Sequence, residues 1–429
     1  MQWTKTRVDL ALATGGEIVQ KLSGYAVLAI LARHFSKADM GRLFFAMALT
    51  SVIAAATELG TGRYLVREVA VRPEVALRRL GEVIALRTPL IIAAFLLTAA
   101  GVLFIKPSLA PIIVAATAAG LLNDLFYSLG AFLIGQRQVG LRLAAGLSGP
   151  LVLVTLVAVS VSLDATLPQV LICYVLAALV PLSAGAWVIV RRFGAIPLAG
   201  AQSGAISAAR ASLPFFLLTA LGIVHFKVDA LLLFALATPA AVAVYETGYK
   251  LFEVSRFVVR PTATVFYPVS AALAGKGDWA GLRRTLRRLL LLAGGVGAGI
   301  TVVVLVAAEL VVRMVWGRHY GETVWVLRVL YLAVPALYLG FVATFLAGAL
   351  HQEAKAARVL ALCLAANIAL NLVAIPRWGP LGAAWSTVVT ETLAASSLLW
   401  VVFRALRARA KAGVAEPSPT PALEVLADG

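Results

Sequence analysis

The chain has 429 residues, 61% of them hydrophobic, with a mean hydropathy of +0.94 and a formal net charge of +17. A soluble domain could not keep such a composition in solution, which excludes a cytosolic enzyme. The pI of about 10.4 needs no nucleic-acid partner, because basic loops beside a membrane meet anionic lipid head groups.

Apolar runs of about 20 residues can each cross the hydrocarbon core, and the chain holds twelve. The first six cover 11–33, 41–61, 83–105, 109–135, 142–163 and 167–190. The initial run holds Glu17 and Lys21 and is too long for a cleaved signal peptide. The stretch 191–210, RRFGAIPLAGAQSGAISAAR, mixes Gly, Ala, Ser and polar residues and is predicted as a cytoplasmic linker. Six more runs follow at 211–237, 241–271, 288–316, 325–350, 357–376 and 380–403. Beyond them, 405–429 is Pro-rich and polar, a composition expected to stay disordered. Cys173 and Cys363 fall inside runs and are predicted to be buried small apolar residues rather than disulfide or metal partners.

The predicted fold is therefore an all-α integral membrane protein of about twelve transmembrane helices in two six-helix lobes, 1–190 and 211–404. Short loops leave no room for a soluble catalytic domain. With the N-terminus in the cytoplasm, 23 of the 37 Lys and Arg residues lie in loops on that side and seven on the other. This bias predicts cytoplasmic termini. The halves echo each other: VALRRLGEV, in the basic loop after the second run, is answered by GDWAGLRRTLRRL, and FLIGQRQ at 132–138 by FLAGALHQ at 345–352. Six is an even number, so the repeats are parallel.

The stretch 242–271 breaks the apolar pattern. Glu246, Lys250, Glu253 and Arg260 fall within about 80° of one helical face, with Arg256 at its edge. Lipid cannot face such a stripe, so it looks into protein or water. Two readings stand: a structural ladder built on Glu246 and Lys250 at i,i+4, or a functional surface made net positive by three cations against two acids. The corresponding positions of the first half, Phe45, Leu49 and Val52, are apolar, which favours function. Further charges inside runs are Glu17 and Lys21, Lys227 and Asp229, Asp124 with no cation nearby in sequence, and Glu391. Arg87 sits near a run's end and is expected to snorkel. Pro214, Pro261, Pro268 and Pro335 mark expected bends.

The segment LARHFSKADMGRLFFAMALTSVIAAATELGTGRYLVREVA resembles the opening of polysaccharide flippases of the multidrug/oligosaccharidyl-lipid/polysaccharide exporter superfamily. Gly41 with Phe44 and Phe45, then Glu58-Leu59-Gly60, carry that likeness. Lys227, Asp229, Tyr245, Tyr249 and Lys250 resemble the family's basic-x-Asp, turn, Tyr, Tyr-Lys pattern. Asn367, Asn371, Pro376, Gly379, Gly382 and Glu391 resemble its last two spans. The likeness extends from the first run to about Arg404. It implies movement of a lipid-diphosphate-linked oligosaccharide (an undecaprenyl carrier, in bacteria) across the cytoplasmic membrane by alternating access, with substrate held between lobes near the midplane. On that basis Lys21, Lys227, Lys250, Arg256 and Arg260 are candidates to line a cationic cavity. Glu17, Asp124, Asp229, Glu246, Glu253 and Glu391 are candidates to couple transport to a proton or sodium ion. No other cofactor and no catalytic residue is expected; polysaccharide polymerase machinery is an expected partner. The rival readings are a cation-coupled drug or metabolite exporter of the same superfamily, and a membrane glycosyltransferase or polymerase. The latter is disfavoured because the chain holds no Asp-x-Asp.

Overall fold

The computed structural model describes the backbone of residues 2–412 and, within it, the side chains of 15–216, 220–259 and 266–409. The described residues form α1 (Gln2–His34), α2 (Lys37–Glu58), α3 (Thr61–Val71), α4 (Ala76–Ile105), α5 (Ala110–Gly135), α6 (Val139–Ser162) and α7 (Leu167–Phe193). After residues 194–201 come α8 (Gln202–Leu236), α9 (Pro239–Gly275), α10 (Trp279–Val315), α11 (Thr323–Leu332), α12 (Val334–Ala349), α13 (Glu353–Trp378) and α14 (Pro380–Ala412). Short 3-10 turns precede α4, α5 and α11, and no strand occurs among the described residues.

Every apolar run of the sequence lies chiefly on a helix, with 325–350 divided between α11 and α12. The expected count of twelve spans is nevertheless not reached by apolar length. Among the described residues, eight helices are long and apolar enough to cross a membrane, or ten when α8 and the α11–α12 pair are each taken as one bent span. The remaining two runs lie in α1 and α9, the helices with Glu17 and Lys21 and with the polar stripe. Two of the four prolines expected to mark bends, Pro214 and Pro335, stand beside one. Pro214 precedes the break in α8, and α11 meets α12 at 41° just before Pro335. Pro335 has no N–H, so the Tyr331 carbonyl four residues earlier loses its helical donor. The Thr301 hydroxyl of α10 donates to it instead, at 2.8 Å, the kind of repair that makes a proline break tolerable inside a membrane.

Two compact units result. One holds residues up to Glu246 together with Arg313–Tyr320; the other holds Thr247–Val312 and the chain from Gly321. In the first, α5 packs on α2 and α7, α6 on α1 and α7, and α8 against α2, α3 and α4. Tyr64, Leu65, Leu80, Phe132 and Ile189 form a core cluster there. In the second, α14 packs on α11, α12 and α13. Cys173 and Cys363 are buried, as expected. Helix α14 runs on to Ala412, so 405–412, placed in the tail by composition, is helical; 413–429 lie outside the described residues.

The corner between α2 and α3 accounts for Glu58-Leu59-Gly60. Leu59 and Gly60 both take left-handed conformations, φ 52° and 73°, which turns the chain sharply. The Glu58 carboxylate then accepts hydrogen bonds from the amides of Gly60 at 2.8 Å and Gly62 at 2.6 Å, satisfying donors left open at the start of α3. A Cβ at Gly60 would lie 2.4 Å from the Phe216 nitrogen and 2.6 Å from the Ser212 carbonyl oxygen of α8. Glycine is needed for both the turn and the close approach.

Candidate functional site

The stripe on α9 acquires partners from outside its own helix. Lys250 Nζ lies 3.1 Å from Glu253 Oε2 at i,i+3, both side chains partly buried. Arg256 lies 3.7 Å from Glu391 Oε1 of α14, with side-chain exposures of 17% and 13%. The Arg256 guanidinium also donates to the Tyr249 hydroxyl at 3.5 Å and sits 5.8 Å from the centre of the Phe252 ring. The structure thus brings Lys250, Glu253, Arg256 and Glu391 onto one polar surface of the second unit. Glu391 adds a third carboxylate that helical periodicity could not assign to the stripe. The surface is therefore a set of ion pairs rather than a bare cationic face. The side chain of Arg260 lies outside the described residues.

Tyrosines hold this part of α9 in place. Tyr331 of α11 donates to the Leu251 carbonyl at 3.0 Å, and Tyr338 of α12 donates to the Ser255 carbonyl at 2.5 Å. Thr247 and Thr323 hydroxyls are 3.0 Å apart. Buried hydroxyls that find partners in this way fix a helix's rotation as well as its depth.

Glu17, Lys21, Asp124, Lys227, Asp229 and Glu246 belong to the first unit. In the first unit, Asp229 of α8 accepts a 2.6 Å hydrogen bond from the Tyr245 hydroxyl of α9, which links two residues of the resemblance pattern. Glu246 is 3% exposed, Lys227 is partly buried, and Glu17 and Lys21 are exposed along α1.

Asp124 and Arg87 require a correction. Asp124 has a cation after all, because Arg87 of α4 is ion-paired to its Oδ2. Arg87 does not snorkel: its side chain is fully buried, and it donates to the carbonyls of Thr57 and Asp124 at 3.3 and 3.1 Å and to the Ser128 hydroxyl. Thr57 lies in the last turn of α2, so Arg87 satisfies a carbonyl that the helix end leaves open. Thr57 also donates to Asp124 Oδ2 at 3.2 Å. The available signal was the i,i+4 spacing of Asp124 and Ser128, two acceptors on one face awaiting a donor.

Asn367 and Asn371 on α13 are buried and bonded to each other at 3.0 Å, with Asn367 donating to Thr390 of α14 at 3.4 Å. A Cβ at Gly382 would lie 2.3 Å from the Ala374 carbonyl oxygen. These motif residues hold α13 against α14, the helix that delivers Glu391.

The model of the family described as polysaccharide biosynthesis protein matches residues 9–274. No curated protein matches the chain. Among solved structures, a multidrug resistance MATE family transporter of the MOP superfamily in an inward-facing conformation is similar, at 15% identity and TM-score 0.75, covering 91% of this chain and 96% of its own. The lipid II flippase MurJ in an inward closed conformation is similar at 13% identity and TM-score 0.68, covering 94% of this chain and 91% of its own. A MOP superfamily transporter from Pyrococcus furiosus, described by a binding pocket of reversed polarity, is similar at 16% identity and TM-score 0.64, covering 95% of this chain and 96% of its own. The chain is a multi-pass membrane protein with the fold of these MATE and MurJ structures, and it belongs to the polysaccharide biosynthesis protein family.

Proposed function

We propose that the protein flips a lipid-diphosphate-linked oligosaccharide across the bacterial cytoplasmic membrane, by cation-coupled alternating access, for cell-surface polysaccharide synthesis. Both termini are cytoplasmic in this reading, as the distribution of Lys and Arg favours. The observation that carries it is the paired charge on α9: Lys250 with Glu253, and Arg256 with Glu391. Intramembrane charges are costly and are kept where they work.

The pairing suggests how substrate and coupling ion oppose each other. A diphosphate entering the stripe competes with Glu253 and Glu391 for Lys250 and Arg256. Protonation of those carboxylates, or a sodium ion held by them, frees the cations for the diphosphate. Deprotonation restores the ion pairs and expels it. Arg256 presents a planar fork suited to phosphate oxygens, while Lys250 acts as a point charge. The chain acts here as a transporter and not as an enzyme, and polymerase machinery is the downstream partner.

The test is export in a host that depends on this protein for its surface glycan. Lys250→Ala, Arg256→Ala and Arg260→Ala are each expected to insert normally and to lose surface glycan, with the lipid-linked precursor accumulating on the cytoplasmic side. Normal surface glycan in all three variants removes the stripe from the mechanism. A chain that confers efflux of a cationic drug and leaves glycan unaffected is instead an exporter of the MATE kind.

A further inference from the structure

The two halves of the chain share a Leu-Arg-Arg start to a long helix, and there they part in charge. In α4, Glu82 follows Arg78 and Arg79. Its carboxylate lies 2.7 Å from Arg79 Nη1 and 3.4 Å from Arg78 Nε, and Glu82 itself is 4% exposed. In α10 the same alignment on Leu282-Arg283-Arg284 puts Arg287 where Glu82 stands, and Arg288 where Val83 stands. Arg283, Arg284, Arg287 and Arg288 are all exposed, and none has a hydrogen bond or ion pair among the described residues.

The helix cannot turn these groups inward. Leu282, Leu286 and Leu289 occupy the opposite face at 0%, 1% and 5% exposure. Asp278 accepts the Gly281 amide at 2.7 Å and so caps the helix start. Four guanidiniums nevertheless crowd the second and third turns of the helix. Arg283 and Arg287, and Arg284 and Arg288, repel as like charges at i,i+4. Each of these costs is relieved by anions lying over the face.

Depth identifies the anion. Helix α10 has 37 residues, about 55 Å at 1.5 Å per residue, against a hydrocarbon core of about 30 Å. Its apolar run begins at Leu289, directly after the arginines. Trp279 marks the helix start, with the Arg409 guanidinium 5.5 Å from its ring centre, the placing expected of an interfacial aromatic. The arginines therefore stand at head-group level. We propose that the opening of α10 is a binding surface for anionic phospholipid head groups, a surface that Glu82 forecloses on the corresponding helix of the first half. The inference is independent of which substrate is transported.

Trp279 supplies the reporter. Full-length protein is reconstituted in phosphatidylcholine vesicles containing increasing fractions of brominated phosphatidylglycerol or brominated phosphatidylcholine, and tryptophan quenching is measured. Trp279→Phe isolates the signal of that residue. The wild type is expected to be quenched at Trp279 by brominated phosphatidylglycerol at a lower mole fraction than by brominated phosphatidylcholine. Arg287→Glu gives α10 the first half's pattern, so the introduced carboxylate can pair with Arg283 and Arg284 and the fold persists. The variant's preference for the anionic lipid is expected to fall about tenfold or more, for a swing of two unit charges at a leaflet surface. Arg287→Gln, one unit of charge, falls in between and carries the test if Arg287→Glu does not fold. Equal quenching of the wild type by both brominated lipids overturns the proposal. So does an undiminished preference in the variant that folds.

Discussion

Arg87 of α4 and Arg256 of α9 each meet a carboxylate of another helix, and they are held in opposite ways. Arg87 is wholly buried and directed at the Asp124 carboxylate, two carbonyls and a serine hydroxyl. Arg256 is 17% exposed, 3.7 Å from its carboxylate and 3.5 Å from a tyrosine hydroxyl. A guanidinium committed to buried acceptors on two neighbouring helices fixes architecture. One held at longer distances and partly exposed can change partners. The comparison teaches where to test for function: at the charge whose partners can be exchanged.

The largest expected effect tests the fixed member. Arg87→Leu leaves Asp124 buried beside open acceptors and is expected to cost about 3–5 kcal/mol, seen as loss of folded protein in membranes and a lower unfolding midpoint in detergent. Adding Asp124→Asn is expected to restore part of that stability, because the orphaned charge is gone. The neighbouring corner comes next. Gly60→Ala sets a Cβ against α8 backbone at φ 73° and is expected to cost about 1–3 kcal/mol by the same midpoint.

For the exchangeable member the order reverses. Arg256→Ala is expected to reduce glycan export about tenfold or more, the equivalent of about 1.4 kcal/mol or more on the barrier, with a midpoint shift well below that of Arg87→Leu. A midpoint loss as large as that of Arg87→Leu would erase the distinction between the two arginines. At position 250, Lys250→Arg is expected to export better than Lys250→Glu, since a point charge needs its sign more than its shape. Equal loss in both points to a specific hydrogen bond. The smallest effect is Thr301→Val, which strips the donor from the Tyr331 carbonyl and is expected to lower stability by about 1 kcal/mol.

Much of this was legible in the chain because it is local. Apolar runs gave helices and Pro214 and Pro335 gave bends, while Glu58-Leu59-Gly60, noted only for its likeness to a family pattern, is a corner whose reason is a left-handed turn against α8. Lys250 and Glu253 share a face by periodicity alone. What the sequence could not display was pairing between helices. Arg87 and Asp124 are 37 residues apart and Arg256 and Glu391 much farther, and no spacing rule links residues on separate helices. Arg87 was misread because position near a run's end predicts snorkelling, whereas the open carbonyl of α2 draws it inward. The stripe looked net positive for the same reason: Glu391 arrives from α14.

The break between α11 and α12 lies between Tyr331 and Tyr338, and both phenols grip α9, at carbonyls one helical turn apart. Helix α9 is thus a splint laid across the joint. Any opening or closing of the 41° angle must pull on two fixed points either side of it. Either one phenol lets go, or the segment between Leu251 and Ser255 moves with the joint. Glu253 is on that segment and Arg256 one residue past it. The straightness of one helix and the register of charges on another are in that sense a single mechanical coordinate.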